Sequence, residues 1–280
     1  MNWSLDVGRV FGIRIRLHYI FLLLLAVVFM VDTHAGGLVQ GLVSVLFIVG
    51  VFTIVALHEL AHCVVARGEG LQVLDITLLP IGGVARLKDL PERPASEIKV
   101  ALAGPLLNFA LAALGLPMLI AIIVGTMSFD LWRGGMGFFM GLFVVNLIMG
   151  MFNLLPAFPL DGGRILRALL AMRGDYVWAT SVAAKVGQIM AIAMAAVGFA
   201  MNKWLVLLAV FVFFAGAQEE RMVRARHELL ERQAAAARFG AFGADFYELP
   251  PTHHPPATVH ADEGLRRHLE QMMWMLRHPR

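Results

Sequence analysis

Two histidines four residues apart stand near the end of a long apolar run, in the sequence His58-Glu59-Leu60-Ala61-His62. In a helix these two imidazoles lie on one face, one turn apart, so both can reach a single metal ion. Glu59 is next to His58, close enough to act on water at that ion. The pattern is short enough to occur by chance, and its simplest alternative is a polar turn at a helix end.

The surroundings of this pattern argue against a chance occurrence. The chain has 280 residues, of which 59% are hydrophobic and 15% charged, and its mean hydropathy is +0.74, so we expect an integral membrane protein. Each ionisable group in a membrane segment costs about 3 kcal/mol on insertion scales, so three together indicate a function. The net charge of +3 does not indicate nucleic-acid binding, because the charges flank apolar runs as topology signals do.

The apolar runs predict an α-helical polytopic membrane protein with six transmembrane helices and a small membrane-associated β-sheet near the active site. The predicted core is 1–217, and 218–280 form cytoplasmic C-terminal helices with a Pro/His-rich linker. Alternation in 1–16 predicts a short strand, residues 32–37 a polar turn, and 71–87 two strands joined by a Pro/Gly loop. The predicted spans are about 17–31, 38–66, 101–125, 137–157, 186–200 and 204–217.

The distribution of basic residues predicts the orientation of these spans. Twelve Lys or Arg fall on one side and only Arg133 and Lys203 on the other, which places both termini and the active-site side in the cytoplasm. The twelve are Arg9, Arg14, Arg16, Arg67, Arg86, Lys88, Arg93, Lys99, Arg164, Arg167, Arg173 and Lys185.

A third ligand is expected because a catalytic zinc ion typically takes three protein ligands and keeps a fourth position for water. Among the acidic residues within or beside the spans, Asp161 is the best placed, since it follows the fourth span on the same side as His62. A helix N-cap is the structural alternative for Asp161, and both roles can hold together.

Asn108 in the third span is either an interhelical hydrogen-bonding group or a donor to substrate, and its position alone does not separate these roles.

Four motifs follow one another along the chain, namely His58 to His62, Pro80-Ile-Gly-Gly83, Gly104-Pro-x-x-Asn108 and Asn153-x-x-Pro156-x-x-Pro159-x-Asp161-Gly162. In these motifs the chain resembles the site-2 protease family of intramembrane zinc metalloproteases, peptidase family M50, across roughly residues 1–215. The resemblance implies that His58, His62 and Asp161 bind one Zn²⁺ and that Glu59 is the catalytic base. It also implies that Asn108 and Asn153 help to position substrate.

The family resemblance implies cleavage within the bilayer of a single-pass membrane protein, such as an anti-sigma factor or a membrane-bound pro-transcription factor. The expected location is the bacterial inner membrane, with the lipid bilayer as a partner, no nucleic acid, and homo-oligomerisation left open. We expect neither a PDZ domain nor a complete CBS module in this chain. Our hypothesis is that unwound substrate pairs with the strands around Leu74 to Ala85, where Gly82 and Gly83 help to position it.

Three other classes of protein remain as alternatives. A membrane metal-ion transporter would carry polar residues at several depths, whereas here they gather on one side. A catalytically inactive relative is disfavoured by the intact Glu59, and a prenyl-processing type of membrane zinc protease by the Asp161 motif. Cys63, the only cysteine, is expected to be a packing residue, because neighbouring helical residues point about 100° apart.

Overall fold

The computed structural model describes residues 4–80, 82–87, 93–124 and 137–247. The chain divides into two units, Met1–Glu228 and Leu229–Arg280, and the site lies in the first. Helices and strands follow one another as β1 (Ser4–Val10), β2 (Ile13–His18), α1 (Tyr19–Gly68), β3 (Val73–Leu79), β4 (Gly82–Leu87), α2 (Pro94–Ile123), α3 (Gly137–Asn153), α4 (Asp161–Ala171), α5 (Tyr176–Met201) and α6 (Lys203–Tyr247).

Helix α1 contains both of the first two predicted spans. Its 50 residues would extend about 75 Å if straight, far more than the roughly 30 Å of a bilayer core. Gly37 has a non-helical backbone with φ of 86°, and the Phe21 and Phe52 rings lie 4.4 Å apart, so the chain reverses there and its two halves pack together. The predicted polar turn over 32–37 is wrong in extent, because the break needs only this one glycine.

The four strands form one mixed sheet in the order β1-β2-β3-β4. The β1–β2 pair is an antiparallel hairpin, which extends the predicted single strand of 1–16. Strand β2 pairs in parallel with β3, with Ile15 opposite Ile76. The two strands predicted within 71–87 are found as β3 and β4, which pair antiparallel. The apolar face of the sheet packs Ile76 against Leu60 and Cys63 of α1, which confirms Cys63 as a packing residue and sets the sheet beside the histidine motif.

Three helices of the described residues are long and apolar enough to cross a membrane, namely α1, α2 and α5. The 17-residue α3 is a shorter apolar helix, and α6 continues from the apolar 204–217 segment to Tyr247. Helix α2 starts at Pro94 and α5 at Tyr176, so both helices begin before the predicted spans at 101–125 and 186–200. The predicted Pro/His-rich linker and the rest of the predicted C-terminal segment beyond Tyr247 lie outside the described residues.

Close packing of glycines sets the position of α4, the short helix that begins with Asp161. A Cβ at Gly162 would lie within 3.0 Å of the carbonyl oxygens of Leu154 and Leu155, and one at Gly163 would meet the backbone of Ala157. Only glycine allows this approach. The Asp-Gly-Gly sequence therefore seats the start of α4 directly against the loop that follows α3.

Candidate metal centre

The structure brings together two histidines of α1 and the first residue of α4. His58 Nε2 lies 3.0 Å from His62 Nε2, and Asp161 Oδ2 lies 3.3 and 3.2 Å from these two nitrogens. Donor atoms bound to a tetrahedral zinc ion at about 2.0–2.1 Å stand about 3.3–3.4 Å from one another. The three atoms therefore form a nearly equilateral face of the size that such an ion requires.

The chemistry of the donor set also fits a metal ion. Asp161 Oδ2 is buried and has no hydrogen-bond partner among the described residues. A buried carboxylate oxygen without a partner is costly, and a cation bound to it removes that cost. Asp161 does not cap α4, since Leu160 is the N-cap and makes no side-chain cap bond. The sequence leaves Asp161 as a metal ligand, a helix N-cap or both, and the contacts favour the metal ligand.

Each histidine is oriented by a hydrogen bond from the ring nitrogen that faces away from this centre. His62 Nδ1 lies 2.7 Å from the carbonyl oxygen of Val100, and His58 Nδ1 lies 2.5 Å from Asn108 Oδ1. A carbonyl oxygen can only accept, so His62 Nδ1 carries the proton and its Nε2 presents a lone pair to the centre. Metal-binding histidines are commonly held in this way.

Helix α2 approaches the histidines closely because it carries a glycine at the point of contact. A Cβ on Gly104 would lie within 3.0 Å of His62 Nε2 and of His58 Cε1. Gly104 belongs to the Gly-Pro-x-x-Asn motif of the sequence, yet its own role was not anticipated. Its function here is steric, since it lets α2 supply the acceptors of Val100 and Asn108 to both rings.

The Glu59 side chain extends from α1 toward β4, the edge strand of the sheet. A Cβ on Gly83 would stand within 3.0 Å of Glu59 Cγ and 3.3 Å from its Oε1. The β4 backbone thus runs directly beside the Glu59 carboxylate. Gly82, the first residue of β4, has a φ of 139°, which glycine adopts without strain.

The two predicted substrate-positioning asparagines already have partners within the protein. Asn108 is 1% exposed and lies between His58 and Asn146, with its Nδ2 donating to Asn146 Oδ1 at 3.1 Å. Asn153 Nδ2 donates to the Met149 carbonyl one turn earlier, at 3.0 Å, and its side chain is half-buried. For Asn108 the contacts favour the interhelical role. Asn146 was missed, although an amide within an apolar span is itself a signal.

A buried ion network ties α4 to two other helices. Arg167, 2% exposed, donates Nε to Glu97 Oε1 at 2.9 Å and Nη1 to Glu219 Oε1 at 2.7 Å, and its guanidinium lies over the rings of Phe158 and Tyr176. These contacts join α4 to the start of α2 and to α6. They hold α4 in place, and with it Asp161, its first residue.

Comparison with known proteins places this site in a family. The model of peptidase family M50 matches residues 46–196. The zinc metalloprotease MJ0392 of Methanocaldococcus jannaschii is 38% identical over 224 residues, covering 80% of this chain and 62% of its own length. The putative zinc metalloprotease Rip3 of Mycobacterium tuberculosis is 34% identical over 248 residues, with 80% and 60% covered.

Similarity extends to a solved structure. The site-2 protease from Methanocaldococcus jannaschii matches with a TM-score of 0.51 at 34% identity, covering 78% of this chain and 95% of that one. The chain spans about 60% of the length of the two curated relatives described above. Because the family model covers more than half of the sequence and includes the whole site, this integral membrane protein belongs to peptidase family M50.

Proposed function

We propose that this chain is a zinc-dependent protease that hydrolyses a peptide bond within or near the transmembrane segment of a membrane-bound protein. The observation that carries the proposal is the face of three donor atoms, 3.0–3.3 Å apart. One of them, Asp161 Oδ2, has no hydrogen-bond partner in the part of the chain that the structure describes. The relatives named zinc metalloproteases support it.

Each residue of the centre has a distinct role in this proposal. His58, His62 and Asp161 hold one Zn²⁺, which would lower the pKa of water toward about 7 and polarise the scissile carbonyl. Glu59 accepts a proton from the attacking water on its carboxylate and gives it to the leaving amine. Asp161 remains ionised and balances part of the charge.

We further propose six spans with both termini in the cytoplasm, the bacterial inner membrane as the location, and a single-pass membrane regulator as the substrate. The reversal at Gly37 supports two spans within α1, and α2, α3, α5 and the apolar part of α6 supply four more. The positive residues flanking these helices support the orientation.

Substrate is proposed to bind as an extended strand along β4. This strand is at the edge of the sheet, and its Gly83 backbone runs beside Glu59, so a paired segment would bring its peptide groups to the base. A β-branched residue at Gly83 would collide with Glu59 itself, so its effect on cleavage would not test strand pairing. Asn153, which is half-buried, stays a candidate for positioning this segment.

Disulfide trapping tests the strand directly. Arg86 of β4 has a side chain 53% exposed, and replacing Cys63 with alanine leaves Arg86→Cys as the single thiol. In a Glu59→Gln background, cysteines placed at successive substrate positions should cross-link with a period of two, because alternate residues of a strand face one way. Cross-linking with a period of three to four would mean that the substrate binds as a helix.

Activity is tested by comparing wild type with Glu59→Gln on a candidate membrane substrate in lipid vesicles. We expect the variant to bind one zinc ion per chain and to lose cleavage. Unchanged cleavage by the variant would refute the assigned role of Glu59. Cleavage by wild type that persists after zinc removal by a chelator would refute the metal-dependent reaction.

A further inference from the structure

Asn146 of α3 forms the end of a hydrogen-bonded chain that reaches His58. Its side chain is buried, its Nδ2 donates to the Leu142 carbonyl at 2.9 Å, and its Oδ1 accepts from Asn108 Nδ2 at 3.1 Å. Asn108 Oδ1 in turn lies 2.5 Å from His58 Nδ1. Two amides therefore connect a backbone carbonyl of α3 with an imidazole of α1.

The direction of every bond in this chain follows from its last acceptor. The Leu142 carbonyl oxygen can only accept, so the amide nitrogen of Asn146 must face it and its amide oxygen must face Asn108. Asn108 then turns its nitrogen to Asn146 and its oxygen to His58. An oxygen there requires the proton on Nδ1 of His58, which leaves the lone pair on Nε2.

We infer that Asn146 is a positioning residue that, through Asn108, holds His58 in the tautomer that binds the metal ion. His62 obtains the same tautomer from the Val100 carbonyl directly. For His58 the amide oxygen of Asn108 takes that place. Asn108 is oriented by Asn146, which is in turn oriented by the Leu142 carbonyl of α3. This inference rests on the proposed zinc site.

A packing role for Asn146 makes the opposite predictions for two substitutions. The residue lines an apolar cavity of about 640 Å³ between α1, α2 and α3, where leucine would be well accommodated and an acid would not. If Asn146 acts as the relay, Asn146→Leu removes the acceptor that orients Asn108. Asn146→Asp keeps an oxygen acceptor toward Asn108 in either protonation state, and its protonated form also donates to Leu142.

Zinc affinity measured by competition with a chromophoric chelator, on full-length protein in detergent, separates the two roles. We expect Asn146→Leu to lower the affinity by about 10–100-fold, as loss of an orienting partner typically does. Asn146→Asp should remain within about threefold of wild type, since the acceptor is kept. Thr53→Val is the matched control, because Thr53 lines the same cavity and also bonds a carbonyl one turn earlier, at 2.8 Å from Val49 O.

Four outcomes would overturn the inference. Wild-type affinity in Asn146→Leu, or a loss of affinity in Asn146→Asp alone, would assign Asn146 to packing. An equal loss in Thr53→Val would show that any change at this cavity weakens the site. If wild-type protein binds no zinc, the proposed function fails and the inference fails with it, so the two failures are distinguished by the first measurement.

A measurement on wild type covers the case in which Asn146→Leu does not fold. Nitrogen-15 NMR of histidine-labelled, zinc-free protein distinguishes a protonated Nδ1 from a protonated Nε2, and the His58 signal is assigned by its loss in His58→Gln. We expect the Nδ1-protonated tautomer for His58. An Nε2-protonated ring would contradict the direction of the chain from Leu142.

Discussion

A single methyl group on Gly104 should separate the two histidines from the helix that orients them. In Gly104→Ala the new Cβ would lie within 3.0 Å of atoms of both rings, on the side where their Nε2 atoms face the centre. Non-bonded carbon atoms normally approach to about 3.5–4.0 Å, so α2 or the rings must move by roughly 1 Å. The imidazoles are held from the other side by Val100 and Asn108, which belong to the same helix.

This displacement has two effects at the centre. Movement of α2 lengthens both Nδ1 hydrogen bonds at once, and loss of such bonds typically lowers metal affinity about 10–100-fold. A misplacement of about 1 Å can lower turnover by about 100-fold. We therefore expect Gly104→Ala to bind zinc at least about tenfold more weakly and to cleave substrate about 100-fold more slowly.

Gly115→Ala provides the control on the same helix. A Cβ at Gly115 would also lie within 3.0 Å of a side chain, Phe143 of α3, but at a distance from the histidines. Zinc affinity by chelator competition and cleavage in vesicles should fall in Gly104→Ala and stay near wild type in Gly115→Ala. Wild-type zinc affinity in a folded Gly104→Ala protein would refute the argument that α2 must approach the rings through a glycine.

Two further predictions concern the ion pairs that hold the fold. Glu97→Gln removes the negative charge of the main partner of the buried Arg167 guanidinium. It should lower the free energy of unfolding by about 3 kcal/mol, measured by denaturation in detergent; an unchanged midpoint would contradict it. The Arg86 guanidinium holds the pKa of Asp75 below its ordinary value. This pair therefore stabilises the folded state fully at pH values above the ordinary carboxyl pKa, and the stabilisation is lost as the pH falls through the lowered pKa of Asp75. Asp75→Asn should therefore melt below wild type at pH 7, with a difference that shrinks below about pH 4; a constant difference would contradict the linkage.

Patterns of neighbouring residues in the sequence predicted several features of this structure. The spacing of His58 and His62 placed two imidazoles on one helical face. Pro80 marked the end of β3, as found, whereas Gly82 and Gly83, which the sequence predicted in the loop, are the first two residues of β4. Asp161 was recognisable because an acid that follows an apolar span is costly unless it has a function. These features depend on residues close in sequence, so their geometry follows from helix and strand periodicity.

The features that the sequence did not reveal depend on contacts between distant segments. The parallel pairing of Ile15 with Ile76 joins strands separated by the whole of α1, and no local periodicity encodes it. The close approach at Gly104 and the contact of Gly83 with Glu59 are set by how helices and strand pack, since a glycine carries no side chain to signal its partner. Asn146 had a signal in its apolar surroundings, but its partner Asn108 lies on another helix.

X-ray absorption at the zinc edge, on purified protein loaded with one zinc ion per chain, tests the central claim most directly. His58, His62 and Asp161 as ligands predict a shell of nitrogen and oxygen atoms only, at about 2.0–2.2 Å, with the imidazole scattering of two histidines. Cys63 follows His62 but packs against the sheet, so no sulfur is expected. A zinc–sulfur distance of about 2.3 Å, or a spectrum without imidazole scattering, would contradict the ligand set.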